Sequence, residues 1–137
     1  MATIFDKIIS KEIAAEIVYE DEKVLAFLDV HPHAPGHTLV IPKQAASTLI
    51  ELDQEYVGPL FEAVKAVMAA LQKALKPDGF TVGMNQGQSA GQAIAHLHVH
   101  IMPRYEGDGG KNLHSVVNNP PNQALEAIAE KIRGALA

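Results

Sequence analysis

The sequence contains no cysteine, and this absence removes several chemistries at once. Disulfide bonds, thiolate metal ligands and thiol nucleophiles are all excluded. No stretch approaches the ~20 apolar residues that a membrane-spanning helix needs, and residues 1–10 lack the basic and apolar regions of a secretion signal. We therefore expect a cytoplasmic protein without a membrane partner, in which nucleophilic chemistry falls to histidine, serine or a carboxylate.

Basic charge is also scarce, because 11 Lys and Arg stand against 16 Asp and Glu and give a formal net charge of −5. Nucleic-acid binding depends on clustered cations that displace counterions, and here the basic residues are scattered. We expect no nucleic-acid partner. The sequence also lacks a Walker-type phosphate loop and a Mg²⁺-binding carboxylate cluster, which argues against a kinase-like mechanism.

The composition is that of one globular domain. The 137 residues are 47% hydrophobic and 20% charged, which is ordinary for a chain that buries a core. No repeats interrupt it. Short runs of apolar and β-branched residues, bounded by turn residues, predict five strands, of which the first three form an antiparallel meander, at residues 16–20, 24–30, 37–41, 80–85 and 95–102.

Three helices are predicted between and around these strands. Thr3 followed by Asp6 resembles a capping box and predicts a short helix through about Ser10. Apolar residues at three- and four-residue steps predict a long helix over residues 57–75, with a start or a kink at Gly58-Pro59 because proline disfavours a helix interior. The same spacing over residues 125–136 predicts a short terminal helix.

The most informative segment is residues 96–102, His-Leu-His-Val-His-Ile-Met. Successive side chains of a strand point to opposite faces, so the three histidines share one face and the apolar residues share the other. One zinc ion cannot bind all three, because the outer Cα atoms lie ~13 Å apart at ~3.3 Å per residue and Zn–N bonds measure ~2 Å. Two of the histidines with help from elsewhere could bind a metal, and that alternative stays open.

The loop before this segment, residues 86–94, is rich in glycine and amide side chains that can approach an anion closely. A plain hairpin turn is the alternative interpretation of the loop alone. The histidines that follow this loop could act on a phosphate bound there. A neutral imidazole can attack phosphorus if an acceptor holds its Nδ1–H, and a second, protonated imidazole can stabilise the phosphate oxygens. The two segments together predict a site directed at phosphate.

The alternating histidines resemble the signature of the histidine triad (HIT) family. Other segments lie in the same order as in the Hint branch of that family and its bacterial relatives, at residues 3–9, 26–29, 34–43 and 91–92. The resemblance extends from Thr3 to Tyr105. It implies a single HIT domain with its core over about 3–105 and a C-terminal loop and helix over 106–137. It further implies an α+β fold with a five-stranded antiparallel sheet, one long helix and one or two short ones, in which two subunits join their sheets as a homodimer.

The resemblance also implies a nucleotide-binding hydrolase similar to purine nucleoside phosphoramidases. Such an enzyme cleaves AMP-like nucleoside 5′-monophosphate derivatives through a nucleotidyl-histidine intermediate and needs no cofactor. Carried over by position, His98 is the nucleophile, His100 contacts the phosphate, His96 buttresses the site and His37 supports the triad. The alternatives are a nucleotide-binding regulatory dimer with incidental turnover and a dinucleoside polyphosphate hydrolase.

The resemblance also implies which residues contact the ribose, the base and the phosphate of the nucleotide. Asp29 accepts hydrogen bonds from the ribose hydroxyls. The base is walled by Phe5, Ile13, Phe27 and Leu39, and the phosphate is held by Asn85, Gly91 and Gln92.

Two positions depart from the family pattern. Ala93 stands where the Hint branch usually has a serine near the leaving group, which leaves the preference among amine leaving groups open. Several bacterial relatives bind a structural zinc through two cysteines and two histidines. At three of those positions this chain has Thr3, Asp6 and Ala45 and only His96 matches, so no metal is predicted.

Overall fold

The computed structural model describes residues 2–136, and its central feature is a single antiparallel sheet. The five strands are β1 (Ile17–Glu20), β2 (Val24–Leu28), β3 (Thr38–Pro42), β4 (Gly79–Gly83) and β5 (Val99–Arg104). Their order in the sheet is β1-β2-β3-β5-β4, and all neighbours are antiparallel. The predicted five-stranded antiparallel sheet and its meander are confirmed.

Three α-helices accompany the sheet: α1 (Ile4–Ile9), α2 (Gln54–Leu75) and α3 (Leu125–Leu136). Helix α1 begins with the predicted capping box, in which Thr3 Oγ1 accepts from the N–H of Asp6 and the Asp6 carboxylate accepts from the N–H of Thr3 at 2.8 Å. No residue of α3 is buried. Within residues 2–136 no helix combines the length and apolarity needed to cross a membrane.

Helix α2 begins earlier than its proline predicts. It begins at Gln54, so that Pro59 is its sixth residue rather than a residue near its start. Proline has no N–H to donate to the carbonyl oxygen of Glu55, four residues earlier. Lys23, in the turn between β1 and β2, donates instead to that oxygen over 3.4 Å and to the Glu55 carboxylate over 3.1 Å.

The sheet separates two apolar clusters. One face packs against α2, where Leu97, Val99 and Ile101 are buried with residues of the helix, as the alternation in the histidine segment predicts. Burying each of these side chains contributes about 1.5–3 kcal/mol. The opposite face carries the histidines and packs against α1, which buries Phe5 and Ile8 there.

Strand β5 begins four residues later than predicted. Its ladder with β3 stops where Val99 pairs with Val40, and Pro42 beyond has no N–H with which to continue it. The N–H of Leu97 donates instead to the carbonyl oxygen of Ala46 over 2.8 Å. His96 and His98 therefore lie in the segment before the strand, and only His100 lies within it.

The other end of β5 reaches further than predicted, to Arg104. On this side β4 continues the pairing, with Phe80 opposite Pro103 and Gly79 opposite Arg104. The β3 ladder has already ended opposite Ile101, so the missing N–H of Pro103 faces no β3 partner. The remaining predicted strands differ from the observed ones by one or two residues at their ends.

Candidate active site

The His98 ring lies directly before β5 and is held by its own backbone. Its Nδ1 lies 2.7 Å from the carbonyl oxygen of His96. A carbonyl oxygen only accepts, so Nδ1 carries the proton and donates. The ring is 8% exposed, and Nε2 keeps the lone pair that a nucleophile needs.

His96 is 1% exposed and lies between two structural elements. Its Nε2–H donates to the carbonyl oxygen of Pro42 over 2.9 Å, which connects it to the end of β3. On the other side its Nδ1 lies 3.7 Å from Asp6 Oδ1, and the Phe5 ring meets both His96 and His98 edge to face, with centroids 6.0 and 5.1 Å away. The carbonyl oxygen of His96 thus holds the His98 ring, and Phe5 of α1 packs against both histidine rings.

A chain of three hydrogen-bonding groups fixes the proton positions on His37 and His100. The backbone N–H of His33 donates to His37 Nδ1 over 3.1 Å, so a neutral His37 carries its proton on Nε2. That Nε2 lies 3.0 Å from His100 Nδ1 and donates to it. A neutral His100 consequently carries its own proton on Nε2, where it can be donated to a ligand.

Burial keeps these rings neutral. It lowers the pKa of His37 and of His98 below the ordinary histidine value. It also lowers the pKa of His100 to about 4, with smaller contributions from neighbouring His98 and His37. At neutral pH, therefore, the arrangement of one acceptor nitrogen on His98 and one donor nitrogen on His100 holds. A bound anion would favour the protonated form of His100.

The cavity beside these histidines, called the inner cavity below, has a volume of about 460 Å³. His98 and His100 line it together with predicted contact residues. The Phe5 and Phe27 rings meet edge to face with centroids 5.6 Å apart, a geometry that aromatic pairs favour. The predicted nucleotide contacts that line it are Phe5, Ile13, Phe27, Asp29, Leu39, Asn85 and Gly91.

Gln92 is the predicted contact that does not line the inner cavity. Its Oε1 accepts from the N–H of Gly87 over 2.8 Å, and its Nε2 donates to the carbonyl oxygens of Ser47 and Ile94 over 2.7 and 3.0 Å. With these bonds the side chain holds the glycine-rich loop in shape. That Gln92 holds the phosphate stays a prediction, and in the structure its side chain positions the loop.

Asp29 follows β2 directly and faces the histidines. Its Oδ1 accepts from the N–H of His31 over 2.9 Å, while its own N–H donates to the carbonyl oxygen of His37 over 3.0 Å. Its Oδ2 lies 3.6 Å from His37 Nε2. The hydrogen bond from the N–H of His31 thus holds the Asp29 carboxylate in place at the rim of the inner cavity.

A metal ion could be held by Asp29, His37 and His100, whose ligand atoms all lie within 4.8 Å of one another. This set differs from the one that the sequence left open, because only one of its histidines belongs to the alternating run. Among residues 2–136, His96 and His98 join no such group. The nitrogens of His37 and His100 face each other at hydrogen-bond distance, so a metal would have to displace the proton between them.

Sequence reasoning missed several residues of the site. His31, to which no role was given, lines the inner cavity, and His33 contributes its backbone N–H to His37. The apolar residues Ile4 and Ile8 of α1 also line the inner cavity. Their four-residue spacing on one helix face was the available signal, whereas a backbone N–H leaves none in the sequence.

A second cavity, called the tail-side cavity below, adjoins the first and has a volume of about 420 Å³. Asp29, Asn85 and His100 line both cavities. Its other walls come from His33 and His37, from β4 with Met84 after it, from β5, and from the segment after β5, where a short 3₁₀ turn, Leu113–Ser115, is followed by Val116. His100 thus lies at the junction of two recesses.

Comparison with known proteins identifies the family. The model of the HIT domain family matches residues 10–107. The chain therefore belongs to the HIT family, a family of histidine triad proteins, and the predicted membership is confirmed. Assignment to the Hint branch stays a prediction.

Individual relatives are similar over nearly the full length. A HIT-like protein of Methanocaldococcus jannaschii is 43% identical over 131 residues, which are 96% of this chain and 98% of that protein. The crystal structure of a HIT family member from Bacillus subtilis is 34% identical with a TM-score of 0.85 and covers 100% of this chain and 99% of that one. A histidine triad nucleotide-binding protein from Candida albicans is 29% identical with a TM-score of 0.83, over 98% of this chain and 97% of that one.

Proposed function

We propose that this protein hydrolyses nucleoside 5′-monophosphate derivatives, such as phosphoramidates, through a nucleotidyl-His98 intermediate. The observation that carries the proposal is the 2.7 Å hydrogen bond from His98 Nδ1 to the His96 carbonyl oxygen. It leaves Nε2 unprotonated in a ring that lines the inner cavity. An imidazole held in this way can attack phosphorus without a metal.

The inner cavity fits the parts of an AMP-like nucleotide. The Phe5 and Phe27 rings would contact the base, and Asp29 would accept from the ribose hydroxyls, a task suited to a carboxylate. His100 Nε2 and the backbone near Asn85 would donate to the phosphate. These groups lie together around one volume of about 460 Å³, within the usual range for a ligand pocket.

The proposed reaction has two steps. His98 Nε2 forms a bond to phosphorus as the bond from phosphorus to the leaving amine breaks. His100, which takes up a proton when the anionic substrate binds, gives its Nε2 proton to the amine and becomes neutral again. Water then attacks phosphorus and gives a proton to the neutral His100, the phosphorus–nitrogen bond to His98 breaks, and the nucleoside monophosphate leaves. Ala93 lines the inner cavity and has no hydroxyl, so the proton donor assigned here is His100.

Two kinds of relationship support a nucleotide as the ligand. The Candida albicans protein with the same fold is named as a histidine triad nucleotide-binding protein. The family match covers the whole segment that holds the four histidines of the site. A nucleotide-binding regulatory protein with incidental turnover is the second candidate, favoured by the alanine at position 93.

We also propose a homodimer, as the resemblance implies. Strand β4 lies at the edge of the sheet, where among residues 2–136 it pairs with β5 alone, so one side of its backbone has no partner strand within that range. Such an edge is a natural place for a second copy to pair. Sedimentation equilibrium at micromolar concentration should give twice the chain mass, and a monomeric mass would contradict this proposal.

Hydrolysis of adenosine 5′-phosphoramidate by the wild type and by His98→Ala, both with a chelator present, tests the proposed activity. We expect turnover in the wild type and a loss of at least about a thousandfold in the variant. The variant should still bind AMP by calorimetry. Equal turnover in the two proteins would reject His98 as nucleophile, whereas nucleotide binding without wild-type turnover would favour the regulatory candidate.

A further inference from the structure

One short segment of chain holds the glycine-rich loop near both of its ends. This segment, residues 46–49 in the connection between β3 and α2, is called the support segment below. Near the end of the loop, Gln92 Nε2 donates to the carbonyl oxygen of Ser47 over 2.7 Å. At the start of the loop, Gln86 Oε1 accepts from the N–H of Leu49 over 2.6 Å. The two glutamine side chains thus attach the loop to backbone groups that are 45 and 37 residues away in sequence.

The support segment also holds the beginning of the histidine segment. The N–H of Leu97 donates to the carbonyl oxygen of Ala46 over 2.8 Å. Ser47 Oγ donates to the carbonyl oxygen of Ala95 over 3.2 Å. His96 lies between these two bonds, and its carbonyl oxygen orients the ring of the proposed nucleophile. The loop and that ring are therefore attached to the same four residues, so the support segment sets the distance between them.

The support segment is anchored, whereas the loop is not. Ala46 is buried in the cluster between the sheet and α2, and Leu49 packs against that cluster. In the loop, residues 87–91 are all exposed, and Gly87 and Gly91 have φ angles of +90° and +96°. Glycine gives the backbone many alternative conformations, so the loop depends on its hydrogen bonds to keep one of them.

The position of Gln86 fits a role in holding the loop rather than in touching a ligand. Gln86 is half-buried and is not among the described residues that line the inner or the tail-side cavity. Its neighbour Asn85 lines both cavities. Gln86 Nε2 donates to the carbonyl oxygen of Asn85 over 3.3 Å, while its Oε1 is held by Leu49. One side chain thus connects the support segment to a residue of the cavity wall.

We propose, on the basis of the proposed function, that Gln86 is a positioning residue for the phosphate group of the substrate. Its bond to Leu49 keeps the loop at a fixed distance from His98, so that the backbone donors near Asn85 meet the phosphate without rearrangement. Donors that are fixed before the ligand binds need no reorganisation when charge develops on it. A displacement of the loop by about 1 Å is enough to lower the rate about a hundredfold.

This role predicts a selective loss of affinity. Adenosine and AMP share the base and the ribose, so the ratio of their Kd values reports the phosphate contact. A residue that only stabilises the fold would change both Kd values together. A residue that positions the loop would raise the Kd of AMP and leave the Kd of adenosine unchanged.

The experiment measures both Kd values by calorimetry for the wild type and for Gln86→Met, whose side chain has a similar length but no amide. We expect the wild type to bind AMP at least about tenfold more tightly than adenosine, and the variant to lose most of this preference. Its Kd for adenosine should stay within about twofold of the wild-type value. Gln88→Met is the matched control and should keep the wild-type ratio, because Gln88 is an exposed glutamine of the same loop.

Three results would reject the positioning role. The first is a wild-type Kd ratio near one, and the second is a wild-type ratio in Gln86→Met. The third is an equal rise in both Kd values in that variant. If Gln86→Met binds neither ligand, Gln86→Asn takes its place, since it keeps the amide but is one methylene shorter. Loss of adenosine binding in that variant as well also rejects the role.

Hydrolysis of adenosine 5′-phosphoramidate, measured on the same proteins, separates the two proposals. We expect Gln86→Met to lower kcat/KM at least about tenfold. If the wild type hydrolyses the compound but the Kd ratio of Gln86→Met is unchanged, the positioning role fails and the proposed function stands. If the wild type hydrolyses nothing although the Kd ratio falls as expected, the proposed hydrolysis fails and the role of Gln86 in phosphate binding stands.

Discussion

The inner and tail-side cavities are similar in size but differ in how they are built. The inner cavity is walled by residues of the sheet and α1, such as Phe27 at 3% exposure, which belong to the hydrophobic core. The tail-side cavity owes part of its wall to Val116, in a segment without buried residues. The difference indicates that the walls of the inner cavity are tied to the stability of the fold, whereas walls of the tail-side cavity can change with little effect on it.

Truncating one wall of each cavity should give the largest contrast. Phe27→Ala removes a buried ring that packs edge to face on Phe5 and leaves a cavity in the core. We expect it to lower the free energy of unfolding by about 3–5 kcal/mol. Val116→Ala should change it by less than about 0.5 kcal/mol. Urea unfolding measures both, and a similar loss for the two variants would remove the distinction between the cavities.

A second prediction concerns His100, at the junction of the cavities. His37→Ala removes the group that donates to His100 Nδ1, so the proton of His100 is no longer directed to Nε2. We expect kcat to fall about a hundredfold with little change in KM. His37→Gln keeps a side-chain N–H donor and should recover part of the loss.

The control for His37 is His114→Ala, which changes an exposed histidine of the tail and should keep wild-type kinetics. If His37 served only to fill space, the glutamine variant would show no recovery beyond that of alanine. A proportional rise in KM would indicate that His37 acts in binding instead.

The smallest expected effect is the pH dependence of stability. Burial lowers the pKa of His100 from 6.5 to about 4 in the folded protein, so between these values the unfolded chain binds more protons. The free energy of unfolding should therefore be lost progressively as pH falls from about 6.5 toward 4, and should level off above that range. His98 and His37, whose pKa values are also lowered, act in the same direction.

His100→Asn tests this dependence. Because the variant lacks the titrating ring, its stability should vary less between pH 7 and pH 5 than that of the wild type, as measured by urea unfolding at each pH. His114→Asn, in the exposed tail, should keep the wild-type slope. An unchanged slope in His100→Asn would assign the acid sensitivity to other groups.

Features that depend on neighbours in sequence were predictable. The capping box spans four residues, and the alternation of residues 96–102 correctly separates the face packed on α2 from the face with the histidines. Apolar runs and the three- and four-residue spacing placed the strands and helices, and the family resemblance implied that the five strands form one antiparallel sheet. These patterns work because each is dictated by backbone geometry over a few residues.

Features that depend on distant partners were not predictable. The start of β5 is set by where β3 stops offering an N–H, at Pro42, which no pattern inside residues 95–102 records. The early start of α2 involves Lys23, 32 residues before Glu55. The tail-side cavity depends on bonds from Arg104 that turn the following chain back toward β5.

The hydrogen bond from the backbone N–H of His33 to His37 has a consequence for mutational tolerance. It requires only an amide hydrogen, which every residue except proline possesses. In a saturation scan of position 33, the hydrogen bond to His37, and with it the proton position on His100, should survive changes of side chain and fail with proline alone. A position of this kind would look dispensable in a comparison of side chains, although the tautomers of His37 and His100 depend on it.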